Sequence, residues 1–552
     1  MPAKRVLIVG GVAGGASCAA RLRRMDENAE IFIFERSGDV SFANCGLPYY
    51  VGGVIANRQR LLVSTPERFR DLFRIEVRTW HEVRSIDRRG RTIEVESLQT
   101  GAVTTEPYDA LVLATGAAPA RPALPGIDLP GIFTLRDLHD VDQLHTWIEH
   151  RKPSRAVVVG GGYIGLEMVE NLARRGVAVT LLEMTDQVMP QADPEMAWPI
   201  QRELERQGVE LRLGREVAAF EPGSDETITV FAKSGERFSA GVVLLAVGVK
   251  PDVRLAQAAG LAIGPTGGIR VDDRMRTSDP AIFAVGDAVE IRDVVTGQPA
   301  LIPLAGPANR QGRIAADVIA GRDARYRGSQ GTSVVGVFDF TLAMTGATEK
   351  SLRRSGIQFE KSYTHAFQHA SYYPGAERIH LKLLFDPTSG RLLGAQAVGR
   401  QGVEKRIDVI TMAIQKGATV FDLEEAELCY APQYGAAKDA VNVAGFVAAN
   451  TLRGDVQLGH WSDWKKRQAA GDMPLTLDVR TPTDVAASAI PGTIRIPLGE
   501  LRARLGELPR DREIWVHCGV GQTSYYAVRL LQQHGFRVRN LSGGITSYQM
   551  EQ

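Results

Sequence analysis

Cysteine is the residue of this 552-residue chain whose placement most directly suggests chemistry. The chain has four cysteines, which are far apart and form no CxxC pair: Cys18, Cys45, Cys429 and Cys518. This spacing argues against a zinc site and against a disulfide scaffold, so we expect no metal. In a reducing compartment an isolated cysteine is either a buried apolar side chain or a reactive thiol, and its neighbours decide between the two.

Cys45 lies in the segment Ser-Phe-Ala-Asn-Cys-Gly-Leu-Pro-Tyr-Tyr, residues 41–50, which contains no second cysteine. It can therefore enter a redox cycle only with a thiol from outside the chain or by oxidation to sulfenic acid. Cys18 lies among small residues of a predicted helix, and we interpret it as structural. Cys429 is interpreted in the same way, although it precedes Tyr430.

Cys518 begins the sequence Cys-Gly-Val-Gly-Gln-Thr-Ser, between a short apolar run and a predicted amphipathic helix over residues 525–534. A loop that enters a helix at this point would direct backbone N–H groups at the sulfur. Such donors stabilise a thiolate or a persulfide, so Cys518 is predicted to be reactive.

Two segments are predicted to bind dinucleotides. Each has the pattern of an apolar strand, a glycine turn, a helix and a second strand that ends in an acid. They run from Val6 to Glu35 and from Ala156 to Glu183. The glycines permit a tight turn and close packing, the helix N-terminus favours a pyrophosphate, and the acid accepts hydrogen bonds from ribose hydroxyls. The second GxGxxG is complete, whereas the first has Val12 in place of the middle glycine.

Two further strands end in Thr115-Gly116 and Gly286-Asp287. Together these motifs resemble the two-dinucleotide disulfide oxidoreductase superfamily. The resemblance implies FAD in the first segment, NAD(P)H in the second, and Asp287 on the flavin ribityl chain. The FAD contacts that it implies are Gly10, Val12, Ala13, Gly14, Gly15, Glu35, Arg36, Thr115, Gly116, Gly286, Asp287 and Ala305. The nicotinamide contacts are Gly160, Gly162, Tyr163, Ile164, Gly165, Glu183 and Gly248.

The segment 41–50 also resembles the coenzyme A-disulfide reductase branch of that superfamily, in which coenzyme A supplies the second thiol. Further matches are at residues 369–376, 405–408 and 430–439, so the resemblance covers about residues 1–450. It implies a homodimer and a Cys45 at a helix start beside the flavin, where the helix N-terminus would lower the thiol pKa. The site residues that it implies are Ser41 and Asn44 beside Cys45, and Tyr372 and Tyr430 reaching in from the partner subunit. The basic run Arg21, Arg23 and Arg24, together with Lys438, supplies candidates for the coenzyme A phosphates.

The last part of the chain resembles a rhodanese domain, on residues 477–480, 490–492 and 541–544 together with the Cys518 segment. Two departures from the pattern occur. Ser488-Ala489 stands where Gly-His is usual, and the loop CGVGQT does not carry the arginine that some rhodanese loops have at their last position. The second departure leaves the preferred sulfur donor and acceptor open.

The length favours about three or four domains. We expect an α/β chain with two Rossmann-like domains, an α+β dimerisation domain and an α/β rhodanese domain. The predicted ranges are 1–150 and 246–325 for FAD, 151–245 for NAD(P)H, 326–450 for dimerisation, 451–462 for a linker and 463–552 for the rhodanese domain.

Composition excludes some classes of function. Hydrophobic residues make up 44%, charged residues 23%, and the net charge is +1, so nothing suggests a nucleic-acid or membrane partner. No apolar run reaches the roughly 18 to 20 residues of a spanning helix, and no signal-peptide pattern occurs. We therefore expect a cytoplasmic protein.

These patterns together predict an NAD(P)H-dependent flavoenzyme that reduces coenzyme A disulfide, coenzyme A persulfide or polysulfide through Cys45, with sulfane sulfur relayed by Cys518. Glu183 favours NADH because a carboxylate repels a 2′-phosphate, but nearby Arg174 and Arg175 leave NADPH possible. Two alternatives stay open. One is an NADH oxidase or peroxidase that cycles Cys45 through sulfenic acid, and the other is a redox or sulfur sensor without turnover.

Overall fold

The computed structural model describes residues 3–551. The chain folds into two compact units. The first unit contains Met1–Val188 and Gln207–Gly331, and the second contains Met189–Arg206 and Thr332–Gln552. No helix in residues 3–551 combines the length and apolar character needed to cross a membrane.

The first dinucleotide segment forms the middle of a five-stranded parallel sheet in the first unit. Val6, Leu7 and Ile8 are fully buried because they lie on its central strand, which is covered on both faces. The strand order is Ile282–Ala284, Ala110–Leu113, Arg5–Val9, Glu30–Glu35 and Glu76–Thr79. The helices Ala13–Met25 and Ala305–Ile319 pack against each other.

The second dinucleotide segment repeats this arrangement, with the helix Tyr163–Arg174 after the glycine turn. Its parallel strands are ordered Glu210–Arg212, Ala178–Leu182, Arg155–Val159, Val242–Leu245 and Ile132–Phe133. The smaller sheets of the first unit are His81–Asp87 with Thr92–Ser97 and Val103–Pro107; Val217–Pro222 with Ile228–Ala232 and Arg237–Ala240; Ile269–Arg270 with Val289–Arg292 and Pro299–Ala300; and Ala117–Pro119 with Val249–Pro251. Its other helices are Leu47–Val51, Pro66–Phe73, Leu138–Arg151 and Arg254–Ala258, with 3₁₀ turns at Asn44–Gly46 and Arg58–Leu61.

An antiparallel sheet forms one part of the second unit. Its strands are ordered Ser333–Val337, Phe340–Gly346, Leu392–Gly399, Arg378–Phe385 and Glu360–Phe367. The helices around it are Pro194–Arg206, Glu349–Arg354, Val403–Gln415, Val420–Glu424 and Ala440–Leu452.

The helix Pro194–Arg206 belongs to this unit, although the predicted NAD(P)H-binding range 151–245 included it. The reason is the fully buried Lys382, whose ammonium group donates to Asp193 at 2.7 Å, to Glu349 at 2.5 Å and to Glu195. A buried cation needs such partners, and two of them precede or begin this helix.

A parallel sheet forms the other part of the second unit, in the order Leu458–Gly459, Val538–Leu541, Ile514–His517, Leu475–Asp478 and Ile494–Arg495. Its helices are Trp461–Ala469, Pro482–Ala487, Leu498–Leu501, Gln522–Gln533 and Gly544–Met550, with a 3₁₀ turn at Leu505–Glu507. The predicted linker 451–462 thus contains a strand that pairs within this sheet. The architecture of both units is mixed α/β, as predicted.

Candidate active site

The two glycine turns are shaped by contacts between backbones. Gly10 has φ +95°, a conformation that side chains rarely adopt, and a Cβ at Gly15 would clash with the carbonyl oxygen of Gly10. Gly160 and Gly165 repeat this arrangement. At the middle position, however, a Cβ on Gly162 would meet no protein atom within 4 Å. Protein packing therefore does not require glycine there, which explains how the first turn accommodates a valine.

In each dinucleotide segment, the acid that ends the second strand accepts hydrogen bonds from the glycine turn of the same segment. Glu35 accepts hydrogen bonds from the Gly11 N–H at 2.9 Å and the Ser37 N–H at 3.0 Å. Glu183 accepts equivalent bonds from the N–H groups of Gly161 at 2.7 Å and Thr185 at 2.8 Å. Both carboxylates are buried beside the turn, where they can also accept from ribose hydroxyls.

The motifs Thr115-Gly116 and Gly286-Asp287 form the remaining part of the first cofactor site, which is called here, with the glycine turn, the first cofactor cradle. The Thr115 hydroxyl donates to the carbonyl oxygen of Asp252 at 2.6 Å, and the Gly286 N–H donates to Gln311 at 2.7 Å. Burial raises the pKa of the Asp287 carboxyl, and no group in residues 3–551 donates a hydrogen bond to it. A half-buried acceptor of this kind fits the hydroxyls of a ribityl chain, so the residues present fit FAD.

Cys45 is exposed in the 3₁₀ turn Asn44–Gly46, and the helix Leu47–Val51 follows directly. Ser41 has φ +50°, a strained value for a residue with a side chain. Its N–H donates to Gly11 at 2.9 Å and its carbonyl accepts from Val63 at 2.8 Å, so bonds on both sides maintain the strain. Asn44 donates to the Arg136 carbonyl at 3.1 Å. These two residues thus fix the loop that carries the thiol.

The predicted effect of the helix start on Cys45 is wrong, because the pKa of the thiol is raised rather than lowered. Burial by surrounding atoms is the main cause, although the residue as a whole is reachable from solvent. The carboxylates of Glu167 and Asp287 add to the shift. A 3₁₀ turn and a five-residue helix supply too little positive potential to overcome these effects.

Glu167 is the residue of this site that sequence reasoning missed. It lies on the helix Tyr163–Arg174, and its carboxylate accepts a hydrogen bond from the Tyr49 hydroxyl at 3.3 Å. Burial raises the pKa of Glu167 to about 7, and burial also raises that of Tyr49 to about 12. The available signal was an acid two residues after the last glycine of the GxGxxG pattern, between two apolar residues.

We expect Glu167→Gln to move the pH profile of Cys45 alkylation to lower pH. Glu167 becomes charged as the pH rises through about 7, and that charge opposes ionisation of the thiol. Iodoacetamide labelling followed by mass spectrometry of the Cys45 peptide measures the profile. Glu149→Gln, which removes an exposed acid paired with Arg175, is the matched control. An unchanged profile in Glu167→Gln would refute this coupling.

In the second unit, Tyr372 and Tyr430 are both exposed, and their hydroxyl groups form a hydrogen bond of 2.8 Å. This bond is the main reason that the pKa of Tyr430 is raised. The loop that carries Tyr372 is held by the Ala370 N–H, which donates to Gly435 at 2.9 Å. The structure therefore brings the two predicted tyrosines together as one polar pair.

The candidate phosphate ligands differ in their availability. Arg23 is buried and donates to the carbonyl groups of Phe73, Arg74, Asp26 and Glu27, so its inclusion in the basic run was wrong. Arg21 forms an ion pair with Asp317 at 2.8 Å. Arg24 and Lys438 are exposed.

The two cysteines interpreted as structural differ in exposure. Cys18 is fully buried, and burial raises the pKa of its thiol to about 12, whereas Cys429 is exposed.

Cys518 is buried at the end of the strand Ile514–His517. Its sulfur accepts hydrogen bonds from the Gly521 N–H at 3.2 Å and from the Ser524 hydroxyl at 3.3 Å. The Gly521 N–H is a backbone donor of the kind predicted for this loop, whereas the Ser524 hydroxyl is a donor that the sequence did not predict. Gly521, at φ +91°, starts the helix Gln522–Gln533 three residues before the predicted position. The loop can therefore stabilise a negatively charged sulfur.

The departure at Ser488-Ala489 has a structural explanation. The Arg480 guanidinium donates to the Ser488 hydroxyl at 3.0 Å and to its carbonyl oxygen at 2.6 Å. The same arginine forms an ion pair with Asp478 at 2.7 Å. A serine at position 488 thus has a defined partner.

Comparisons with known proteins agree with this geometry. Residues 4–312 match the family model for pyridine nucleotide-disulphide oxidoreductases, residues 332–440 its dimerisation domain, and residues 461–551 a rhodanese-like domain. The chain is 37% identical over 446 residues to the coenzyme A disulfide reductase of Staphylococcus haemolyticus, which covers 81% of this chain and 99% of that protein.

Two solved structures resemble the whole chain. Reduced CoADR-RHD of Bacillus anthracis is 45% identical, with a TM-score of 0.97 and coverage of 100% of this chain and 98% of that one. The NAD-dependent persulfide reductase of A. fulgidus is 37% identical, with a TM-score of 0.91 and coverage of 99% and 100%. Both similarities extend over all parts of the fold described above.

Proposed function

The chain belongs to the pyridine nucleotide-disulphide oxidoreductase family, as an enzyme that uses FAD and NAD(P)H, and we propose that it reduces coenzyme A disulfide and coenzyme A persulfide through Cys45. One observation supports this most strongly. The Cys45 loop is tied to the first glycine turn by the Ser41–Gly11 bond and to the nicotinamide-side helix by the Tyr49–Glu167 bond. The exposed Cys45 thus lies on a loop that is bonded on one side to the first glycine turn and on the other side to the helix after the second glycine turn, which supports a role between the two cofactors.

Cys45 forms a mixed disulfide with coenzyme A in this proposal, because the segment 41–50 contains no second cysteine. Bound FAD supplies two-electron transfer from the nicotinamide to that disulfide. With coenzyme A disulfide, NADH and one proton yield NAD⁺ and two thiols. With coenzyme A persulfide, they yield NAD⁺, one thiol and hydrogen sulfide. The glycine turns hold the cofactor phosphates, and Glu35 and Glu183 orient the riboses.

Cys518 carries sulfane sulfur as a persulfide, stabilised by Gly521 and Ser524. It relays this sulfur to or from coenzyme A. A homodimer in which Tyr372 and Tyr430 approach the partner's thiol would use the exposed polar pair. Four free cysteines suit a reducing compartment such as the cytoplasm.

Anaerobic NADH oxidation by the purified protein tests the proposal against an oxidase. We expect turnover with coenzyme A disulfide and with coenzyme A persulfide, and release of hydrogen sulfide only with the persulfide. Turnover that needs oxygen and ignores both coenzyme A compounds would instead establish an NADH oxidase. Absence of turnover with every acceptor would revive the sensor alternative.

We expect Glu183→Ala to reduce the preference for NADH. Its carboxylate fixes the turn through Gly161 and lies where it repels a 2′-phosphate. The KM for NADH should rise about tenfold, while that for NADPH changes little. Initial rates with each nucleotide measure this, with Met184→Ala at the exposed neighbouring residue as control. An unchanged ratio of the two KM values would show that Glu183 does not select the nucleotide.

A further inference from the structure

The dimerisation and rhodanese parts of the second unit meet at a buried seam, where the strand Glu360–Phe367 lies against residues 542–547. We call these six residues the holding segment. Two buried hydrogen bonds cross the seam, from the Tyr363 N–H to the Ser542 hydroxyl at 3.0 Å and between His365 Nε2 and the Ser547 hydroxyl at 2.9 Å. Polar groups that have left water are costly when they lose their partner, so these bonds fix the position of the segment.

His365 is also held on its own side of the seam. Its carbonyl oxygen accepts from the Arg378 guanidinium at 2.5 Å, and its Nδ1 lies 2.8 Å from His380 Nδ1. Burial holds the pKa of His365 well below its usual value and lowers that of His380 to about 4. Both imidazole rings are therefore neutral at neutral pH, and the contact of His365 across the seam is a hydrogen bond between neutral groups.

The holding segment fits tightly between His365 and the sulfur loop, residues 518–523. Gly543 has φ +70°, and a Cβ on it would lie 2.7 Å from His365 Nε2. Gly544 has φ +59°, and a Cβ on it would lie 2.5 Å from the carbonyl oxygen of Cys518. No side chain fits at either position, so the histidine, the holding segment and the sulfur loop are in direct contact.

Three hydrogen bonds run from the holding segment to the backbone of the sulfur loop. The Ile545 N–H donates to the carbonyl oxygen of Cys518 at 2.8 Å. The N–H and the hydroxyl of Thr546 both donate to the carbonyl oxygen of Gly519 at 3.0 Å. A trans peptide directs its N–H away from its carbonyl oxygen, so the N–H groups of Gly519 and Val520 point away from the holding segment. Neither has an acceptor within the described chain, which leaves both for a charge on the sulfur.

The donor that already reaches the sulfur borders the same segment. The Gly521 N–H donates to Cys518 Sγ at 3.2 Å, and a Cβ on Gly521 would lie 3.1 Å from the Gly543 nitrogen. The carbonyl oxygen of Gly521 accepts from the Asn540 amide at 3.0 Å. Donors stabilise a charge best when surrounding residues hold them in place, and here those residues lie outside the sulfur loop.

We propose that His365 of the dimerisation domain is a positioning residue for sulfur transfer at Cys518, because it fixes the segment that orients the sulfur loop. This rests on the proposed role of Cys518 in sulfur transfer. In that step the Cys518 thiolate attacks the outer sulfur of a hydropersulfide R–S–SH. The S–S bond of the donor breaks, R–S⁻ leaves and takes the proton, and Cys518–S–S⁻ remains beside the N–H groups of the loop. An acceptor thiol reverses the same exchange.

The test uses the full-length holoenzyme with cysteine hydropersulfide as the donor. His365→Leu removes both ring nitrogens, whereas His365→Gln keeps a polar group near the position of Nε2. Ser547→Ala removes the partner hydroxyl from the other side of the seam. His460→Gln is the control, because His460 Nε2 crosses the same seam to Glu360, 2.9 Å away, rather than to the holding segment. Mass spectrometry of the Cys518 peptide follows persulfide formation and, separately, the pH profile of alkylation.

We expect His365→Leu to form the persulfide about tenfold more slowly and to need a higher pH for alkylation, since displaced N–H donors stabilise the thiolate less. Ser547→Ala should show the same direction in both readouts. The double variant His365→Leu/Ser547→Ala should lose little beyond the larger single loss, because both changes break one bond. His365→Gln should recover most of the rate, and His460→Gln should match the wild type.

Wild-type rates and alkylation profiles in both His365→Leu and Ser547→Ala would overturn the proposal. Equal losses in His365→Leu and His460→Gln would also overturn it, since they would indicate a general loosening of the seam. Should His365→Leu fail to fold, Ser547→Ala decides by the same two readouts. If wild type forms no persulfide, the role of Cys518 fails, and the alkylation profiles still decide whether His365 acts on its thiol.

Discussion

A Cys45→Ser variant is expected to lose NADH-dependent reduction of coenzyme A disulfide by at least about a thousandfold, because a serine cannot form the mixed disulfide. The cofactor cradles depend on Gly10, Gly15 and Glu35 rather than on the thiol, so the variant should still bind FAD. Bleaching of the flavin absorbance by NADH should therefore persist. Stopped-flow spectroscopy and steady-state turnover together separate the two steps.

Cys429→Ser is the matched control, since Cys429 is the other exposed cysteine of the chain. It should keep wild-type turnover. Retention of activity in Cys45→Ser would refute the assignment of this thiol. Equal losses in both variants would show that activity depends on a feature other than the Cys45 loop.

The second large effect is expected for Cys518→Ser, which should abolish sulfur transfer from a hydropersulfide donor while leaving reduction of coenzyme A disulfide intact. The sulfur atom itself accepts the transferred sulfur, and the Gly521 and Ser524 donors cannot replace it. We expect a loss of at least about a thousandfold in sulfur transfer. Cyanide trapping of sulfane sulfur as thiocyanate measures this rate.

Ser524→Ala should have an intermediate effect on sulfur transfer, because it removes one of the two hydrogen-bond donors to the sulfur. A loss of about tenfold is expected from one hydrogen bond to a charged group. Full transfer activity in Cys518→Ser would place the sulfur site elsewhere. A parallel loss of coenzyme A-disulfide reduction would show that the two thiols do not act independently.

The cofactor cradles could be predicted from the sequence because they depend on local geometry. A turn that brings Gly10 and Gly15 together tolerates few alternatives, so glycine spacing marks it in the sequence. The apolar runs at residues 6–9 and 156–159 likewise predict the central strands of parallel sheets. The prediction for Cys45 depended instead on the resemblance of residues 41–50 to the coenzyme A-disulfide reductase branch.

Effects that depend on contacts distant in sequence could not be predicted. The pKa of Cys45 is raised mainly by burial, which spacing does not reveal, and further by Glu167 and Asp287, more than 100 residues away along the chain. The structural role of Arg23 comes from carbonyl groups that only the folded chain brings close. The strand Leu458–Gly459 has two residues, and its polar surroundings resemble a linker.

The central claim is that Cys45 and coenzyme A form the disulfide that receives electrons from NADH. The most direct measurement starts from protein whose Cys45 carries coenzyme A, prepared with coenzyme A disulfide, and adds one equivalent of NADH without oxygen. We expect the Cys45 peptide to lose the mass of coenzyme A, with one coenzyme A thiol released per subunit. Coenzyme A that stays on Cys45 after NADH is consumed would contradict the claim. In a parallel reaction with oxygen, conversion of Cys45 to sulfenic acid that the anaerobic reaction does not show would contradict it as well.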